Sequence, residues 1–99
     1  MGMYDAISSA IKSRNLLRFT YDGGERVVEP FCYGKNHKGT ELLRAYQIRG
    51  FSKSGRPTGW KLFDVKKIRS LKTEKDVFNG SRPQYNPNDS AMEIIYCNV

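Results

Sequence analysis

The sequence predicts a mainly β domain with a single N-terminal α-helix, closing as a small barrel or sheet. Three observations lead there. An Asp22-Gly23-Gly24 turn separates two alternating runs, in the composition and spacing that join antiparallel strands. Alternation resumes over residues 40–49 and is strongest in Gly59-Trp60-Lys61-Leu62-Phe63-Asp64-Val65, where Lys61, Phe63 and Val65 share one face and Trp60, Leu62 and Asp64 the other. Helical spacing is clear only near the start of the chain.

That helix is expected over residues 3–14. Met3, Ile7, Ala10 and Ile11 form its apolar face, with Ser8, Ser9, Lys12 and Ser13 toward water. Asp5 at its start and Lys12 and Arg14 at its end suit the helix dipole, and Asn15 is expected to end it in a left-handed conformation. Residues 16–21 read as a strand and residues 25–29 as its return, with Pro30 expected to interrupt the ladder because it has no N–H. Residues 31–33 continue extended into a polar loop over residues 34–39. Residues 40–49 form a strand that is partly apolar on both faces. A long glycine-rich loop, residues 50–59, precedes the Trp60 strand, and such loops are often functional. Ile68 and Leu71 then dock a short bend. The barrel is expected over about residues 16–72. Residues 73–99 read as an irregular extension of the same single domain, with Met92 ending a short helix or opening a last strand.

The chain has 99 residues, a net charge of +7 and a pI near 9.6, which suits one domain and favours an anionic partner. A basic surface that only keeps the protein dispersed is the plainer reading. No apolar run is long enough to span a membrane and no leader-like start is seen, so the expected location is the cytoplasm, without membrane attachment. Cys32 and Cys97 are too few for a disulfide scaffold, and His37 alone makes no zinc pattern. No general base, carboxylate pair or activated cysteine is patterned, so neither enzymatic activity nor a cofactor is expected.

Five short motifs occur in order: Ala10-Ile11-Lys12, Leu17-Arg18-Phe19-Thr20-Tyr21, Arg26-Val27-Val28-Glu29-Pro30, Leu43-Arg44-Ala45-Tyr46 and Phe63-Asp64-Val65-Lys66-Lys67-Ile68. Together they resemble the WYL domain family, over most of residues 6–71. The chain is similar to its small stand-alone members, through Gly59-Trp60-Lys61-Leu62-Phe63 and the Arg82-Pro83 to Asp89 tail. The resemblance implies an Sm-like small β-barrel of the kind found in bacterial and phage regulators, sensing nucleic acid or nucleotide-like ligands through a basic, aromatic-bearing groove. The tripeptide that names the family falls on Glu41-Leu42-Leu43, and Lys67 stands where an arginine is expected.

Arg26 and Arg44 match family positions that face the groove, and a strand-held arginine can meet a phosphate with two parallel hydrogen bonds. Ion pairs with Glu29 or Glu41 are the competing reading. Tyr46 and Trp60 offer stacking surfaces or ordinary core material. Lys61, Lys67 and Arg69 would follow a phosphate backbone, or form a solvated edge that discourages aggregation. Ser52, Ser54 and Gly55 could donate to an anion, or simply make a flexible turn. The expected function is therefore non-catalytic binding of single-stranded nucleic acid or a nucleotide signal. The alternatives are self-association or a protein partner, motivated by Leu42 and Ile48, and sequestration of a nucleotide under the residue 50–59 loop.

Overall fold

A computed structural model describes residues 3–53 and 55–99. Helix α1 (Met3–Ser13) leads into strand β1 (Asn15–Tyr21), and the left-handed residue that ends the helix is Arg14, one position before the expected Asn15. The helix buries Ile7, Ala10 and Ile11 as its spacing predicts. It also buries Ser8, whose hydroxyl accepts a 3.6 Å contact from the Cys97 thiol, so one serine expected in water is interior.

Asp22 and Gly23 both have positive φ, 51° and 81°, which matches the twist of the strands they join. They connect β1 to the long β2 (Gly24–Lys35). Pro30 lies inside β2 and does not end it. Pairing with β1 stops at Val28, and pairing with the last strand, β6 (Ile94–Asn98), begins at Cys32. Pro30 thus sits where that edge of β2 has no partner, and its missing N–H breaks no bond there. On the other edge the ladder to β3 (Glu41–Gly50) shifts register between Pro30 and Cys32, leaving Phe31 as an extra residue.

Strand β4 (Gly59–Asp64) pairs with β3, a 3₁₀ turn (Val65–Lys67) follows, and β5 (Arg69–Val77) returns beside β1. All pairings are antiparallel, in the order β4-β3-β2-β1-β5 with β6 beside the far half of β2. The expected mainly β domain with an N-terminal helix is present. Among the described residues no ladder joins β4 to β5, so the sheet is open and a closed Sm-like barrel is not shown. The extension expected to be irregular from residue 73 contains the end of β5 and all of β6, which settles the final segment as strand.

The sheet has apolar contents on both faces. Ile7, Ile11, Phe19, Val28, Leu43, Phe63 and Ile68 form one core under α1. Phe31, Leu16, Val27 and Phe78 form a second on the opposite face, with Trp60, Tyr46 and Tyr85 packed against it. The chain after β5 covers this second core. Leu42, expected to be open to a partner, is only 9% exposed, in a cluster with Cys32 and Met92, and Ile48 is partly buried. Among the described residues no helix is long and apolar enough to cross a membrane.

Candidate anion-binding site

Arg26 lies near the start of β2, directly after the Asp22-Gly23 turn, opposite Phe19 on β1 and Gly50 on β3. Gly50 (φ +111°) permits that pairing. A Cβ there would lie 2.3 Å from the Glu25 carbonyl oxygen, closer than any side chain allows, and 3.0 Å from the Arg26 Cα. The Phe51 N–H then donates to the Glu25 carbonyl at 2.8 Å, and its ring packs on Gly24. Phe51 is thereby held over the start of β2.

The Arg26 side chain is 4% exposed. Its guanidinium carbon stands 5.3, 5.4 and 5.6 Å from the ring centres of Tyr21, Phe51 and Phe63, within the range of cation–π attraction. Polar satisfaction is poor by comparison. The terminal nitrogens make contacts of 3.4 Å to the Gln47 Oε1 and to the Tyr21 carbonyl, and the buried Nε has no acceptor. Among the described residues no carboxylate pairs with it, whereas Arg18 binds Glu74 and Glu25, Arg44 binds Asp89, and Arg82 binds Glu29. Gln47, fully buried, gives its Nε2 to the Phe51 carbonyl at 2.9 Å and so links Arg26 to the loop that follows β3.

Lys61, opposite Ala45 on β3, extends to the same place. Its Nζ donates to Ser52 Oγ at 3.2 Å and to the Arg56 carbonyl at 2.8 Å. Burial, and then the charges of Arg26 and Arg56, push the Lys61 ammonium below its ordinary pKa. Arg26 and Lys61 line one cavity of about 170 Å3 with Tyr21, Phe63, Leu62, Ser52, Lys53 and Asp22. Chemically it is a positive recess with an apolar wall.

The other expected site residues lie elsewhere. Arg44 is held by Asp89 through two bonds, Nε to Oδ2 at 2.7 Å and a terminal nitrogen to Oδ1 at 3.2 Å. With Trp60 and Tyr85 it lines a separate cavity of about 260 Å3. Trp60 stacks on Tyr85 (centroids 6.0 Å apart, 17° between planes), meets Tyr46 and Phe31 edge-on, and donates its indole N–H to the Pro83 carbonyl at 2.8 Å. The Arg82 guanidinium covers the Tyr46 ring at 4.0 Å. Both aromatic surfaces are therefore engaged by the C-terminal segment. Arg69 donates to the Lys66 and Ile68 carbonyls and lines a third cavity with Met3 and Glu41, while Lys67 is exposed on the 3₁₀ turn. Of seven expected residues the fold brings Arg26 and Lys61 together at one recess, and Arg44, Tyr46 and Trp60 together on the opposite side of the sheet.

The ion pairs expected with Glu29 and Glu41 are made differently. Glu29 takes Arg82, Glu41 accepts from the Tyr33 hydroxyl at 2.8 Å, and Asp89 takes Arg44. Sequence reading missed Gln47, Tyr21 and Phe51. Gln47 carried a signal, since it falls at period two on the face of Leu43 and Ala45, where a polar side chain needs a partner. Ser54 lies outside the described residues. Among those described no group of three or more potential metal ligands converges. Burial, followed by the charges of Asp89 and Cys97, pushes the Cys32 thiol up to about 12, so it stays protonated at neutral pH. Comparison with family models, curated proteins and solved structures finds no match.

Proposed function

We propose that this chain is a WYL-like, non-catalytic binding module of the cytoplasm that captures an anionic ligand, single-stranded nucleic acid or a nucleotide signal, at Arg26 and Lys61. The observation that carries this reading is a nearly buried arginine that has no acidic partner among the described residues, beside a second, partly desolvated cation. A buried donor left unpaired costs about 1–3 kcal/mol, and more when it is charged. An anion in the recess relieves that cost by accepting from the guanidinium and from the Lys61 ammonium together. The net charge of +7 draws such a ligand in. The order of the strands supports the Sm-like reading: a meander of four, with the fifth returning beside the first, and a core under α1. Two unpaired thiols, Cys32 and Cys97, suit a reducing compartment.

Fluorescence titration of the full chain with single-stranded RNA, single-stranded DNA and mononucleotides across a salt series tests the proposal. Arg26→Met is expected to weaken binding by at least about tenfold, as loss of a buried charge partner does. Arg69→Ala, in a different cavity, leaves it nearly unchanged. Affinity indifferent to both Arg26→Met and salt removes this reading.

A further inference from the structure

Resting on that reading, we infer that the recess at Arg26 and Lys61 seats a terminal phosphate monoester, the end of a nucleotide or of a strand, and not the diester links within a strand. Size is the first argument. At about 170 Å3 the cavity is smaller than the roughly 300–1,000 Å3 of sites that enclose a whole small molecule. It takes a head group and leaves the rest of the ligand outside.

Charge is the second. Arg26, Lys53 and Lys61 line the cavity against one carboxylate, Asp22, an excess of two positive charges. A monoester carries about −1.5 to −2 at neutral pH and cancels that excess. A diester carries one charge and leaves half of it unmet.

Depth is the third. Arg26 is walled by the rings of Tyr21, Phe51 and Phe63. Phe63 is itself buried, and the Tyr21 hydroxyl is anchored as acceptor of the Asp64 N–H at 2.9 Å. A terminal phosphate, with three free oxygens, can approach a guanidinium set this deep more closely than a diester flanked by two sugars can. The donor set agrees with this. A guanidinium has five N–H donors, and among the described residues those of Arg26 make two contacts, both of 3.4 Å.

Calorimetric titration at fixed ionic strength distinguishes the sources of such a group. The ligands are inorganic phosphate, a 5′-mononucleotide, and a short DNA strand with and without a 5′-phosphate. The mononucleotide and the phosphorylated strand are expected to bind at least about tenfold more tightly than the strand lacking a terminal phosphate, the scale of one added charge-assisted contact. Lys61→Gln and Arg26→Met should each abolish the difference, with circular dichroism and thermal melting of the unliganded variants confirming that they fold. If the two strands bind equally, the terminal-phosphate inference falls while the anion-binding function stands. Inorganic phosphate binding as tightly as the mononucleotide overturns the ester assignment. Absence of binding by every ligand removes both.

Discussion

Arg26 and Asp89 are opposite solutions to placing a charge inside this small protein. Arg26 is buried among rings and ion-paired to no acid among the described residues, so its replacement by an apolar side chain of similar reach removes a desolvation cost along with the ligand contact. Arg26→Met is therefore expected to leave the unliganded protein as stable as before, or more stable by about 1–2 kcal/mol, because buried charges often yield to apolar substitutes without loss. Urea unfolding checks this, and a loss above that size would mean that the ring contacts outweigh desolvation. Asp89 is compensated. Burial works to raise its pKa, but hydrogen bonds from Arg44 and the Ala91 N–H, together with the Arg44 charge, outweigh burial and hold it below the ordinary carboxylate value. A carboxylate lowered in this way stabilises the fold above its unfolded pKa, near 3.9, and the contribution disappears as pH falls through the folded value. Asp89→Asn should cost about 1–2 kcal/mol at pH 7, and the gap to the parent should close as pH drops below about 4. A gap that persists at pH 2 would show that the Asp89 charge is not its source.

Strands and turns were more legible than sites, for reasons visible in single positions. Asp22-Gly23 announces its hairpin because only a few residues accept two successive positive φ values. Pro30 misleads because the local rule that it breaks a ladder assumes a partner on that edge, and β2 changes neighbours there from β1 to β6. The final segment reads either as a short helix ending at Met92 or as a strand that opens there through Ile94, Ile95 and Tyr96, and only pairing with β2 decides. That pairing depends on Gly34. A Cβ at Gly34 would lie 2.1 Å from the Ile94 carbonyl oxygen and 2.9 Å from the Ile95 Cα, both backbone atoms with little room to yield. Gly34→Ala is expected to separate β6 from β2 at a cost of about 1–3 kcal/mol. Hydrogen exchange should report it as faster exchange of the Val99 amide, which donates to Phe31, while the β1 and β2 hairpin amides keep their protection. Uniform acceleration over both would place the damage in the whole sheet.

For the molecule as a whole, net charge is a poor guide to where a ligand sits. The count of 17 basic against 10 acidic residues is plain in the sequence, but which cations are already occupied depends on the tertiary fold. Arg44 and Arg82 are paired by residues 45 and 53 positions away, and the same C-terminal segment covers Trp60 and Tyr46. Arg26 and Lys61 meet because the sheet folds β4 and the β3 end over the first hairpin, a convergence that no local pattern encodes. Lys66, Lys67, Lys72 and Lys75 lie exposed on the 3₁₀ turn and β5, away from the residues lining the recess. This division predicts the salt response. Each phosphate of a single strand neutralised on binding contributes about −0.7 to the slope of log K against log salt. A ligand held by one terminal phosphate at Arg26 and Lys61 should therefore show a slope no steeper than about −2. A strand that also tracked the exposed lysines would exceed it, and would lose that excess when Lys67 and Lys72 are replaced by glutamine. The slope thus reads how many cations a ligand meets, and a steep one would move the binding surface from the recess to the outer edge of β5.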